Sequence, residues 1–130
     1  MPKTRVLILV EDGKTDIEKT AGDISERIDP ERFEVLSRKA SEVVISDVLA
    51  AGLFLLGADA PNAPSFAELA RVMKGINLAG RRAAFFGSSG AAVAWLRGLC
   101  ADTDLSAAHA DLVGKRTDRT ALAAWIRTIA

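Results

Sequence analysis

Three carboxylates and one ammonium fall within the six residues Glu11-Asp12-Gly13-Lys14-Thr15-Asp16, between an apolar run, Val6 to Val10, and a helical pattern that starts at Thr15. Carboxylate oxygens at that density can ligate a hard divalent cation. A second polar turn, Gly87-Ser88-Ser89-Gly90-Ala91, follows the apolar stretch Ala83 to Phe86 and offers two hydroxyls and a run of backbone N–H groups. Asp59 adds a carboxylate two residues beyond Gly57, where another apolar run, Leu53 to Leu56, ends. In an open α/β sheet, ligands bind outside the carboxyl ends of the strands, in the loops that leave them. All three segments occupy that position, and the first carries charges that repel a phosphate.

Other chemistries are excluded by what the chain lacks. Cys100 is the only cysteine and His109 the only histidine, so no internal disulfide, no Cys-x-x-Cys motif and no protein-built zinc site is expected. Lys plus Arg and Asp plus Glu both number 17, so no net field draws the chain to nucleic acid or anionic lipid. The basic doublets Arg38-Lys39, Arg81-Arg82 and Lys115-Arg116 are scattered and read as solvated surface. Tyrosine is absent, and Trp95 and Trp125 fall on helix faces, which leaves little for a base-stacking platform. The longest apolar run, Val48 to Gly57, is too short to span a bilayer. Lys3 and Arg5 precede too few apolar residues for a signal-peptide core. The expectation is a soluble cytoplasmic protein with one domain over residues 1–130.

Strand and helix patterns alternate along the chain. Val6 to Val10 is a continuous apolar run of the kind found in parallel strands covered on both faces. Ile17, Ala21, Ile24 and Ile28 recur at helical spacing, Pro30 closes that element, and Thr15-x-x-Glu18 reads as a capping box. Phe33 to Leu36 predicts a second strand, Asp47 to Ala51 a short helix, and Leu53 to Leu56 a buried third strand. After a loop with Pro61 and Pro64, the residues Phe66, Leu69, Met73 and Ile76 share one helix face. Ala83 to Phe86 predicts a fourth strand, Val93, Leu96, Leu99 and Cys100 a helix, and Leu105 to Ala108 a weak fifth strand. Leu122, Trp125, Ile126 and Ile129 stripe the last helix. The pattern predicts a parallel α/β sheet with helices on both faces.

From Met73-Lys74-Gly75-Ile76-Asn77-Leu78-Ala79-Gly80-Arg81-Arg82 into Ala83-Ala84-Phe85-Phe86-Gly87-Ser88, and again in the closing helix Asp118 to Ile129 with Trp125, the chain resembles the flavodoxin family. It resembles in particular the flavodoxin module of flavodiiron proteins. The resemblance spans Val6 to Ile129 and implies a flavodoxin-like three-layer α/β/α sandwich. Its five-stranded parallel sheet would run in the order 2-1-3-4-5, with FMN at the mouth. It places the family's cofactor-binding positions on Asp12, Gly13, Lys14, Thr15, Asp16 and Ile17, on Asp59 and Ala60, and on Ser88, Ser89 and Gly90.

The residues at those positions depart from the family. Its Ser/Thr-x-Thr-Gly-x-Thr phosphate loop falls, by alignment through Glu18-Lys19-x-Ala21, on Asp12, Lys14, Thr15 and Ile17. A dianionic phosphate would there meet Glu11, Asp12 and Asp16, opposed by Lys14 alone. Unit charges about 4 Å apart near a protein surface interact by on the order of 4 kcal/mol, a large share of a micromolar affinity. The aromatic residues of the family's Ser-Tyr-Gly-Trp turn are replaced by Ser89 and Ala91, and Val93 stands where ordinary flavodoxins carry a tyrosine. The expectation is a binding or interaction module, not an enzyme, that requires no cofactor and takes FMN weakly at most. The alternative is an FMN electron carrier with an atypical site. A protein or redox partner is expected but not named, and neither is the oligomeric state.

Two enzymatic readings use the same residues. Glu11, Asp12, Asp59, Ser88 and Lys115 stand roughly where a phosphoacceptor receiver domain carries its acidic pair, acceptor Asp, hydroxyl and Lys. Gly87-Ser88-Ser89-Gly90-Ala91 resembles a nucleophile elbow with Ser89 at its apex, followed by Asp102 or Asp104 and then His109. The competing assignment for Ser88 or Ser89 is a helix N-cap, and for Cys100 a core residue. With no cofactor at the mouth, Pro61, Pro64 and Phe66 would form a small apolar contact patch.

Overall fold

Strand β1 (Thr4–Val10) lies inside a parallel sheet, between the edge strand β2 (Phe33–Lys39) and the central strand β3 (Leu53–Ala58). The computed structural model describes residues 3–114 and 118–129. Val6 to Val10 of β1 and all of β3 are buried, which is why both read as unbroken apolar runs rather than alternating ones. Strand β4 (Arg82–Gly87) pairs with β3, and two short strands, β5 (Ser106–Ala107) and β6 (Leu112–Val113), share its outer edge. The order β2-β1-β3-β4-β5 is the expected one.

Helices α1 (Thr15–Arg27) and α5 (Arg119–Ile129) cover one face, with Ile17, Ala21, Ile24, Leu122 and Trp125 packed on Val6, Ile8, Leu55 and Phe86. Helices α2 (Ile45–Ala50), α3 (Ala67–Lys74) and α4 (Gly90–Cys100) cover the other, with Val48, Leu69, Met73, Val93 and Leu96 on Leu7, Leu9, Phe54 and Phe85. Strands β1, β3 and β4 thus send alternate side chains into two separate cores.

Several boundaries differ from the sequence reading for identifiable reasons. Strand β2 extends through Ser37, Arg38 and Lys39, because an edge strand is held by its ladder with β1 and not by burial. Helix α1 begins at Thr15, but Lys14 is its N-cap and no side chain caps it, so the capping box does not form. Helix α2 begins at Ile45, two residues earlier than expected. Pro64–Phe66 forms a 3-10 turn ahead of α3, and Lys74 is the last helical residue there. The single fifth strand expected over Leu105 to Ala108 is replaced by β5 and β6. Between its pairings with them, β4 advances three residues, from Ala83 to Phe86, while the edge chain advances five, from Ala107 to Leu112. Two residues must therefore leave the ladder. The excursion is tied down by Arg97 Nη2, which donates to Ala108 O at 2.7 Å, and by Trp125 Nε1, which donates to Ala110 O at 3.0 Å.

Cys100 lies in the core on α4, as its place in the stripe implied. Burial pushes its thiol up to about 12 from 9.0, with Arg97 pulling weakly the other way. The unfolded chain therefore releases this proton first as pH rises. Stability is unaffected below about pH 9 and falls between about pH 9 and pH 12, by at most about 1.4 kcal/mol per unit. Cys100→Ala is expected to flatten that part of the urea-midpoint profile. The native thiol is expected to react with a disulfide reagent at pH 8 only after urea is added; equal rates with and without urea would contradict the burial.

Candidate functional site

The loops leaving β1, β3 and β4 meet at one end of the sheet. Their first residues are fastened to the neighbouring strand ends: Glu11 N donates to Gly57 O at 2.9 Å and Ser88 N to Ala58 O at 3.2 Å. Gly13 makes the turn after β1 with φ of 73°, a conformation that costs other residues strain. The N–H of Ala92 donates to Ser89 Oγ at 3.2 Å, so Ser89 is the N-cap of α4.

Glu11 is the one charged side chain that is buried among the described residues, at 7% exposure. Its Oε1 accepts from Asp59 N at 2.8 Å and from Ala60 N at 3.4 Å, so its carboxylate takes up the first two N–H groups of the β3 loop. The Lys14 Nζ lies 4.0 Å from Glu11 Oε2 and 3.8 Å from Asp59 Oδ2. Ser88 Oγ donates to Asp59 Oδ1 at 2.7 Å. Charge alternates through this chain, from buried carboxylate to ammonium to half-exposed carboxylate, and a hydroxyl closes it.

Asp12 turns away from that group. Its Oδ1 accepts from Ser41 N at 3.2 Å, its Oδ2 accepts from Ser41 Oγ, and its own N–H donates to Ser65 Oγ at 3.2 Å. The β1 turn is thereby stitched to the segments after β2 and β3. Thr15 and Asp16 are exposed in the first turn of α1, whereas Ile17 is 2% exposed and belongs to the core. Gly90 and Ala91 are exposed, and Val93 is buried.

The structure therefore gathers Glu11, Lys14, Asp59, Ala60 and Ser88, and it separates Asp12 and Ile17 from them. Glu11 was visible in the sequence as one acid of a turn, but nothing in the pattern marked it as the anchor of a loop 48 residues away. Ser41 and Ser65 carried no signal, because a hydroxyl that accepts or donates a single loop contact follows no periodicity. Phe66 cannot contribute to a contact patch: it is fully buried and meets Trp95 edge to face, with ring centroids 5.7 Å apart. Among the described residues the exposed large apolar side chains are instead Leu36, Val44, Ile45, Leu49 and Val113.

The elbow arrangement is not assembled. Ser89 lies past the carboxyl end of β4, while Ala108, next to His109, donates from its N–H to Ala83 O near the other end. At about 3.3 Å per residue, the strand between them spans on the order of 13 Å. Of the receiver-like set, Glu11, Asp59 and Ser88 converge, Asp12 does not, and Lys115 lies outside the described residues. Among the described residues no three His, Cys, Asp or Glu side chains are grouped to hold a metal ion. No helix among them is long and apolar enough to cross a membrane.

By sequence, no protein-family model and no curated protein matches the chain. By structure it is similar to oxidised Flavodoxin 2 from Bacillus cereus, with a TM-score of 0.80 and 17% identity over 97% of each chain. It is also similar to a flavodoxin from the domain Archaea, with a TM-score of 0.79 and 16% identity over 96% of this chain and 93% of that one. A diflavin flavoprotein A3 from Nostoc sp. superimposes with a TM-score of 0.71 and 14% identity, over 98% and 90%. Strand order, helix placement and these likenesses agree: the chain has the flavodoxin-like α/β fold.

Proposed function

We propose that this protein is a flavodoxin-fold interaction module whose mouth does not hold FMN as a resident cofactor. The observation that carries this reading is the Glu11 carboxylate, buried and bonded to the Asp59 and Ala60 N–H groups. Those donors are the ones a planar ring or an anion would need from the β3 loop, and a side chain of the protein already satisfies them.

The residues present do not fit a phosphate either. The N-terminus of α1 offers free N–H groups and a partial positive charge. The chain leading into it carries Glu11, Asp12 and Asp16, whose negative charge opposes a phosphate, and Lys14 is shared between Glu11 and Asp59. Ile17, at the last phosphate-loop position, points its side chain into the core. The turn after β4 has Ser89 spent as a helix cap and no ring at Ala91 to stack on a flavin. Flavodoxins and a diflavin flavoprotein are the structural neighbours, which favours the alternative of an FMN electron carrier by fold alone.

Protein purified without added flavin is expected to be colourless, and a titration watched by FMN fluorescence is expected to give a Kd weaker than roughly 10 µM, about −7 kcal/mol. A yellow preparation, or submicromolar quenching, would sink the proposal and favour the electron carrier.

A further inference from the structure

We infer that the protein self-associates through the outer edge of β2, joining two sheets into one across a two-fold axis. This inference is independent of whether the mouth takes FMN, because β2 contributes no residue to the Glu11–Asp59–Ser88 group. Strand β2 is the terminal strand of the sheet, and among the described residues nothing pairs with its outer side. Only Phe33 of its seven residues is buried. An edge of that length presents a row of unpaired N–H and C=O groups, which natural proteins cover or pair.

Leu36, at the middle of the strand, is 38% exposed. Helix α2, held against β2 by the Arg38–Asp47 ion pair at 2.8 Å, is too short to cover it. An exposed leucine at the middle of a bare sheet edge suits a contact surface better than a solvated one.

Charge selects the occupant and the register. In an antiparallel pairing of two β2 edges centred on Leu36, each residue meets the one whose number makes the same sum: Leu36 faces Leu36, Glu34 faces Arg38, and Val35 faces Ser37. Glu34, Leu36 and Arg38 alternate onto one face, so the two Glu34–Arg38 pairs flank the leucines at cross-strand distances of about 5 Å. Glu34 already has Arg5 beside it at 3.5 Å, and Arg38 has Asp47. Across the axis these pairs would align as Arg5, Glu34, Arg38, Asp47, with the sign alternating at each step. A slip that centres the pairing on Arg38 sets two guanidinium groups face to face and is disfavoured. Such self-complementarity is the mark of an isologous two-fold interface, in which one patch meets its own copy.

Sedimentation velocity of the full chain over a concentration series tests this. A species of twice the chain mass is expected to grow with concentration, and Leu36→Lys, which sets two ammonium groups together at the axis, is expected to weaken association by at least about 30-fold. Its far-UV circular dichroism should match the parent's, since Leu36 is exposed. Should that variant fail to fold, Leu36→Cys decides: its buried Cys100 is out of reach, and mild oxidation is expected to link the two copies through position 36 much faster than in Asp23→Cys, on the exposed face of α1. A monomer at every concentration, a dimer indifferent to Leu36→Lys, or equal cross-linking of the two cysteine variants would overturn the inference. So would an edge that pairs with a strand of a different protein while the chain alone stays monomeric.

Discussion

Glu11→Ala is expected to cost the fold about 2–4 kcal/mol at neutral pH and to tighten FMN binding at least about tenfold. The first effect follows from the partners left behind. The Asp59 and Ala60 N–H groups lose their acceptor at a part-buried site, and an unsatisfied buried donor costs about 1–3 kcal/mol. Lys14 also loses one of its two carboxylate neighbours, a smaller term because its side chain is 43% exposed. The second effect follows from charge: one carboxylate fewer stands at the mouth, and Lys14 is left with Asp59 alone to neutralise. At about 4 kcal/mol for unit charges 4 Å apart near a surface, a tenfold gain (about 1.4 kcal/mol) is a conservative share. Urea unfolding reads the first, and FMN fluorescence the second. Glu11→Gln, which keeps an acceptor oxygen and removes the charge, should lose less stability yet gain similar affinity. Unchanged FMN affinity in both variants would show that Glu11 does not guard the mouth.

Gly57→Ala is expected to destabilise the protein by about 3 kcal/mol, the upper range for overpacking a core. Gly57 pairs with Phe86 across β3 and β4, and a Cβ added there would come within 2.2 Å of the Phe86 ring. The ring cannot swing clear: it is fully buried and meets Trp125 edge to face at 6.1 Å between centroids. Phe86→Leu alone opens a void and also destabilises, but in the double variant the added methyl occupies part of that void. The double variant should therefore be more stable than the sum of the two losses predicts, by 1 kcal/mol or more in a double-mutant cycle. Simple additivity in urea unfolding would refute the contact. Because Glu11 N is bonded to Gly57 O, the same substitution is expected to loosen the β1 turn.

Burial patterns carried the fold, as two elements illustrate. The runs Val6 to Val10 and Leu53 to Leu56 have no polar residue because both faces are covered, and that alone made them parallel strands. Where burial is not the organising force, the sequence reading failed. Ser37 to Lys39 are strand residues held by backbone pairing with β1, and no hydropathy signal reports a backbone bond. The split of the fifth strand depends on a mismatch in length against β4, and Leu105 to Ala108 show nothing of that mismatch. Phe66, read both as a helix-face residue with Leu69 and Met73 and as part of an apolar patch with Pro61 and Pro64, is buried against Trp95.

The mouth divides in the same way. That charged residues stand at the first turn, and that rings are missing after the fourth strand, was plain from residue types, because charge and aromaticity belong to single side chains. Which acid is buried and which points outward was not, because Glu11 and Asp12 are adjacent and chemically near-equivalent. Their difference arises from the packed sheet, which brings Asp59 and Ala60 beside one and Ser41 and Ser65 beside the other. A residue's chemistry is local and can be read in order along the chain. Its partners are not local, and only the packed sheet decides them.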